Sequence, residues 1–197
     1  LLALIDPDLK NDNRIDTMLD TIHKSNFDAI LIGGSQISDN NIFKRINYIK
    51  NNTSLPIILF PGSSSQITKD VKALLYLNLI SGRNPKYLIE EQVDSSQLIY
   101  DMKIESIPTA YIVLGSNNHI SSVSKVTNTK PLNSSNIDSI LSHCLAGQYM
   151  GNNLLYLEMG SGSKNHISPD LLKIIKKIPG YAFFSYSLFI IFMFMFS

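Results

Sequence analysis

The 197-residue sequence has one cysteine, Cys144. One thiol excludes an intramolecular disulfide and a multi-cysteine metal site, and it points to a reducing compartment. Charge of either sign in excess is also missing. Lys plus Arg number 17 against 16 for Asp plus Glu, a formal charge of +1. That balance excludes a nucleic-acid binder that works by bulk positive charge, and equally an acidic disordered tail. No basic segment precedes the first apolar run, and the chain opens on Leu1, so a signal peptide is not expected. Charges are absent altogether from Tyr181 to Ser197, where only Ser185, Ser187 and Ser197 are not apolar and six of the nine phenylalanines lie.

What remains is a regular alternation. Short apolar runs end abruptly in Pro, Gly or Asp. Leu1–Ile5 stops at Asp6-Pro7-Asp8, and Phe27–Ile32 at Gly33-Gly34-Ser35. Leu55–Phe60 stops at Pro61-Gly62-Ser63, and Ala73–Leu79 at Ser81-Gly82-Arg83-Asn84-Pro85. Ala110–Leu114 is a fifth run, and Leu154–Leu157 a sixth that ends in Glu158-Met159-Gly160-Ser161-Gly162-Ser163. Continuous apolar runs of this length are strands buried on both faces.

Between the runs, apolar residues recur at helical spacing. Ile15, Met18, Leu19 and Ile22 form one stripe, and Ile42, Phe43, Ile46 and Ile49 a second, with Ser38 or Asp39 as caps. Ile137, Ile140, Leu141, Cys144 and Leu145 form another, and Pro169 opens a last helix. Part of 87–105 reads as helix. Ser64–Lys72 is too short for a crossover helix, and Asn118–Ser135 reads as a polar surface loop. The pattern predicts a parallel α/β fold, one domain over 1–179, with ligands at the carboxyl ends of the strands.

The chemistry-bearing residues lie at those ends. Asp6 and Asp8 suit a hard cation such as Mg²⁺, which takes one or two carboxylates plus substrate phosphate. The plainer reading makes Asp8 a cap and Asp6 part of a turn. Gly33-Gly34 allows close backbone approach, and the Ser35 hydroxyl can meet metal or phosphate, although most Gly-Gly pairs are ordinary turns. From Tyr156 through Leu157, Glu158, Met159, Gly160, Ser161 and Gly162, a carboxylate stands next to N–H groups that suit a phosphate, so Glu158 is a candidate general base. Arg83 could clamp a diphosphate or be a plain surface residue. His23, His119, His143 and His166 match no ligand spacing, and Cys144 sits on an apolar stripe as a core residue.

Taken in order, "ALIDPD", "DAILIGGS", "PIILFPGS", "LNLISGRNP", "IPTAYIVLG" and "LLYLEMGSGS" resemble the geranylgeranylglyceryl phosphate synthase family, and its second group in particular, over about residues 1–179. The resemblance implies a (β/α)₈ TIM barrel, incomplete here at about six of eight βα units. It implies a Mg²⁺-dependent prenyltransferase of lipid biosynthesis, cytoplasmic, joining a long prenyl group from a prenyl diphosphate to the C3 hydroxyl of sn-glycerol 1-phosphate.

By the same resemblance, Asp6 and Ser35 are the metal positions. Tyr156 to Gly162 bind the glycerol phosphate, and Glu158 and Tyr156 are catalytic. A homo-oligomer, peripheral membrane contact and no nucleic acid complete the expected partners. Leu4 stands where some members carry Lys, and the glycine-rich ends of the last two barrel strands are missing. The 180–197 tail is accordingly expected to be a frameshift product or other artefact in preference to a membrane anchor. Such an anchor needs about 20 apolar residues. The chain is expected to be truncated at both ends and poorly active. The alternatives are a degenerate, membrane-tethered phosphate-binding protein, or another barrel enzyme that uses Glu158 as base.

Overall fold

The computed structural model describes residues 1–34, 39–115, 121–159, 167–178 and 181. They fall into two units, one of Leu1–Leu75 with Val93–Ser106, the other of Tyr76–Gln92 with the described part of Ile107–Ile190.

In the first unit, β1 (Leu2–Ile5), β2 (Ala29–Ile32) and β3 (Ile57–Leu59) pair in parallel, and β4 (Ala73–Leu79) begins beside β3. The register sets Leu2 against Ala29 and Ile30 against Ile57. Ile30, Leu31 and Ile32 are wholly buried, as the unbroken apolar runs require. Helix α1 (Ile15–His23) buries the expected stripe of Ile15, Met18, Leu19 and Ile22. Helix α2 (Ile42–Asn51) buries Ile42, Ile46 and Ile49, but its fourth buried residue is Arg45, while Phe43 is exposed. Asn41, not Ser38 or Asp39, is the N-cap residue of α2. Ser64–Gln66 forms only a 3₁₀ turn, consistent with a connection too short for a helix.

In the second unit, the end of β4 leads through a π-turn at Lys86–Glu90 into α3 (Glu91–Met102), whose later residues belong to the first unit. β5 runs from Glu105 to Gly115, twice the expected length; its added start opens on exposed Glu105 and Ser106 and half-buried Ile107 and Pro108, so no apolar run marked it. The stretch expected to be a surface loop, 118–135, is not one. Helix α4 (Ser122–Thr127) and the short β6 (Leu132–Asn133) lie within it. The Ser121 hydroxyl accepts the Ser124 N–H at 3.1 Å to start α4, Asn128 ends it at φ 52°, and β6 pairs with Leu114 and Gly115. Polar Ser124 and Thr127 are the buried residues of α4, so no apolar stripe marks it.

Helix α5 (Ile137–Tyr149), β7 (Leu154–Glu158) and α6 (Pro169–Ile175) follow, and β7 pairs in parallel with β5. Alternate residues of β5, Ala110, Ile112 and Leu114, join Ile140, Cys144, Leu171, Ile175 and Ile178 in one helix-side core. Burying an aliphatic side chain of this size contributes about 1.5–3 kcal/mol. Helix α5 comes close to β5 at Gly147, where a Cβ would stand 2.6 Å from that of Ala110. Tyr181 is buried, and its hydroxyl donates to the Cys144 carbonyl. The rest of the 180–197 tail lies outside the described residues. Among the described residues, no helix is long and apolar enough to cross a membrane.

Candidate functional site

Each unit presents one constellation at its strand ends. In the first, β1 delivers Asp6. Its backbone carbonyl accepts the Asn11 side-chain amide at 2.9 Å, and its Oδ2 meets the Lys10 ammonium at 3.0 Å. Its Oδ1 is buried and has no hydrogen-bond partner among the described residues. An unsatisfied buried carboxylate oxygen is costly, and it is the kind of donor a hard cation takes up. Burial pushes the Asp6 carboxyl up from its ordinary range, with Lys10 working against it. Gly34 leaves the oxygen its room, since a Cβ there would stand 2.6 Å from Oδ1. Asp8 has the plainer role. It is the N-cap of a 3₁₀ turn at Leu9–Arg14, accepting the Lys10 N–H at 3.2 Å. Ser35, the other expected metal position, lies outside the described residues.

Arg45 holds this end of the unit together. Its guanidinium donates to both carboxylate oxygens of Asp12, to both of Asp39 and to the Pro7 carbonyl. Its hydrogen bond holds the Asp39 carboxyl well below the usual range and also lowers that of Asp12. The clamp ties the segment after β1 to the segment before α2. Lys10 and Arg45 were both missed from the sequence. For Lys10 the available signal was its spacing of four residues from Asp6. Pro61-Gly62 follows β3, where the Gly62 N–H donates to the Gln66 side chain at 2.8 Å.

In the second unit, β7 delivers Tyr156 and Glu158 on one face, and β5 delivers Tyr111 beside them. Parallel pairing sets Tyr111 opposite Tyr156, with Glu158 two residues further along. All three are buried, at 6%, 3% and 7% exposure, so the chemistry here is that of a desolvated site. The Tyr111 hydroxyl donates to Glu158 Oε2. The two tyrosine rings meet edge to face, centroids 5.0 Å apart at 82°. Burial raises the Glu158 carboxyl, with the Tyr111 hydrogen bond pulling it back. Burial raises both phenols too, and the neighbouring carboxylate adds to it. Leu157 and Met159 pack against the helix-side core, so their side chains are engaged away from Glu158. Gly160, Ser161 and Gly162 lie outside the described residues.

Tyr111 was not among the expected site residues. It looked like one more residue of an apolar run, although a buried phenol needs a partner and thereby gives a signal. Arg83 is exposed and folds back on its own loop, donating to the Ile80 and Gly82 carbonyls at 3.1 and 2.6 Å. Its other contact is His143 Nε2 at 3.3 Å. His23 bonds Thr53 at the end of α1, and His119 and His166 lie outside the described residues. Cys144 is wholly buried with its thiol pushed up to about 12, an inert core residue. Among the described residues, no three His, Cys, Asp or Glu side chains cluster as metal ligands.

The model of the PcrB family matches residues 1–185. The geranylgeranylglyceryl phosphate synthase of Flavobacterium johnsoniae is 38% identical over 177 residues, 90% of this chain and 72% of that protein. The solved wild-type enzyme of Thermoplasma volcanium superposes with a TM-score of 0.80 at 32% identity, covering 90% of this chain and 71% of that one. The Thermoplasma acidophilum enzyme, solved with its substrate sn-glycerol 1-phosphate, also gives 0.80, at 31% identity, covering 89% of this chain and 70% of that one. The fold class is the (β/α)₈ barrel of these enzymes.

Proposed function

This chain belongs to the PcrB family, and on that premise we propose that it is a prenyltransferase that joins a geranylgeranyl or similar long prenyl group to the C3 hydroxyl of sn-glycerol 1-phosphate. The observation that carries the reading is Glu158, a buried carboxylate at the end of β7 with one oxygen fixed by Tyr111. A carboxyl raised by burial is a stronger base than one in water. Glu158 takes the proton of the C3 hydroxyl as its oxygen bonds to C1 of the prenyl chain. The bond from C1 to the diphosphate oxygen breaks, and diphosphate leaves with the bonding pair. The Tyr156 ring, held edge to face by Tyr111, supplies a π face to the positive charge that develops on the allylic carbons.

Magnesium fits the donor chemistry of the first unit, where Asp6 Oδ1 is a buried oxygen without a partner. Asp6, with Ser35, would hold it, and when bound it would offset the charge gathering on the diphosphate. Mg²⁺ commonly rests on one or two carboxylates and substrate phosphate. The reading also assigns the phosphate of the acceptor to the Tyr156–Gly162 segment. It places the enzyme in the cytoplasm as a homo-oligomer in peripheral contact with a membrane, where its lipid product is delivered.

The test is transfer of label from sn-glycerol 1-phosphate into solvent-extractable lipid with geranylgeranyl diphosphate. Transfer is expected with Mg²⁺ and not without it, and Glu158→Ala and Asp6→Ala should both abolish it. Binding of the glycerol phosphate with no prenyl transfer to it from any donor, farnesyl to heptaprenyl diphosphate, would overturn the reading.

A further inference from the structure

We propose that Tyr111 is a positioning residue for Glu158, holding the carboxylate ionised and in one rotamer so that Oε1 is the oxygen that takes the proton. The inference rests on Glu158 being the base and names the group that keeps it competent. Three observations carry it. First, strand parity brings the groups together. Ala110, Ile112 and Leu114 point to the helix-side core, which turns Tyr111 to the other face of β5. Tyr111 is level with Tyr156, and Glu158 lies on the diagonal, a span an aromatic side chain can bridge. Second, the hydroxyl donates to Oε2, and among the described residues no hydrogen bond engages Oε1. Third, the edge-to-face contact with Tyr156 fixes the plane of the Tyr111 ring, and so the direction of its hydroxyl.

The surroundings explain why a donor is needed. The titratable groups facing Glu158 among the described residues are Tyr111 from β5 and Tyr156 from its own strand. None of the ion pairs formed by the described residues includes Glu158. A carboxylate in such a place drifts toward its neutral form unless a hydrogen bond holds the charge. A neutral Glu158 cannot accept the substrate proton. The Tyr111 hydroxyl opposes that drift.

The chain has only four glutamates, Glu90, Glu91, Glu105 and Glu158, so carboxyl-¹³C glutamate labelling reads each one, with Glu158→Gln assigning its signal. Tyr111→Phe keeps the ring and removes only the donor. It should move the Glu158 titration midpoint upward by about 1–2 pH units, the worth of a hydrogen bond to a charged group. The acid limb of the kcat/KM profile for prenyl transfer should move up by the same amount, with KM for the glycerol phosphate little changed. Biosynthetic 3-fluorotyrosine gives a stronger donor of nearly the same shape, and it should move the midpoint down. This arm does not depend on the variant folding.

A Glu158 midpoint that stays put in Tyr111→Phe, or that 3-fluorotyrosine leaves unmoved, overturns the proposal, even if the variant melts earlier. The fate of the base is read separately. Wild-type transfer by Glu158→Gln would refute Glu158 as base, and with it any catalytic consequence of the Tyr111 bond.

Discussion

A methyl group at Gly34 tests the metal assignment without replacing a ligand. The Cβ of Gly34→Ala would stand 2.6 Å from Asp6 Oδ1 and 3.2 Å from its Cγ, where ordinary contact begins at 3.4 Å. The carboxylate must therefore withdraw its oxygen by about 0.8 Å, several times the ~0.2 Å tolerance of a metal–oxygen distance. The yielding atoms are the end of a side chain, not backbone, and Gly34 needs no left-handed backbone, so the fold should absorb the change. The expected result is a Tm within about 3 °C of wild type, together with a rise of tenfold or more in the Mg²⁺ concentration that half-saturates prenyl transfer. The assay is the initial transfer rate against Mg²⁺ at saturating substrates, alongside a thermal melt. A folded Gly34→Ala protein with the Mg²⁺ dependence of wild type would refute the assignment of Asp6.

Three further outcomes follow from the same contacts. Burial raises the folded-state Glu158 carboxyl above its ordinary 4.5, so the stability it contributes is full below that value and is lost as pH rises through the raised one. Urea titrations should then show Glu158→Gln gaining on wild type as pH rises toward neutral, and a difference that shrinks with pH would contradict the buried state of Glu158. Asp39 is held below its ordinary 3.8 by Arg45, so the stability it contributes is present above 3.8 and is lost as pH falls through the lowered value. Arg45→Met should therefore be less stable at neutral pH and lose less on acidification than wild type, and additive effects of Arg45→Met and Asp39→Asn in a double-mutant cycle would argue against the clamp. Gly147→Ala sets a methyl 2.6 Å from the Ala110 Cβ and 2.8 Å from the Tyr181 hydroxyl. It should cost about 1–3 kcal/mol by urea unfolding, with Ala110→Gly recovering part, and a neutral result would mean that α5 is free to shift.

The parts of this molecule that could be read from its sequence are those where apolar residues mark what is buried, a stripe on a helix or an unbroken run in a strand. The stripe of α1 appears residue for residue, and apart from β5, which starts five residues early, the buried strand runs are displaced by at most two positions at their ends. The reading failed where a polar side chain does a structural task. Arg45 is buried because two carboxylates and a carbonyl satisfy it, and no periodicity reveals that. Helix α4 buries a serine and a threonine, so it looked like loop.

The site divides in the same way. Glu158 stood out because a carboxylate follows an apolar run and precedes glycines, while Tyr156 entered through the family resemblance. Tyr111 lies 47 residues from Glu158, and only the pairing of β5 with β7 joins them. The Asp6 and Asp8 pair looked alike in sequence. The structure separates them, since Asp8 spends its side chain on a cap while Asp6 keeps a buried oxygen without a partner among the described residues.

The central claim is that this chain makes a prenyl ether, and it is tested most directly by counting both products of one reaction. With geranylgeranyl diphosphate, sn-glycerol 1-phosphate and Mg²⁺, mass spectrometry of the lipid extract should show the prenylglyceryl phosphate, and a diphosphate assay should show one diphosphate released per ether formed. Diphosphate released with no ether, or neither product with any donor, would contradict the account.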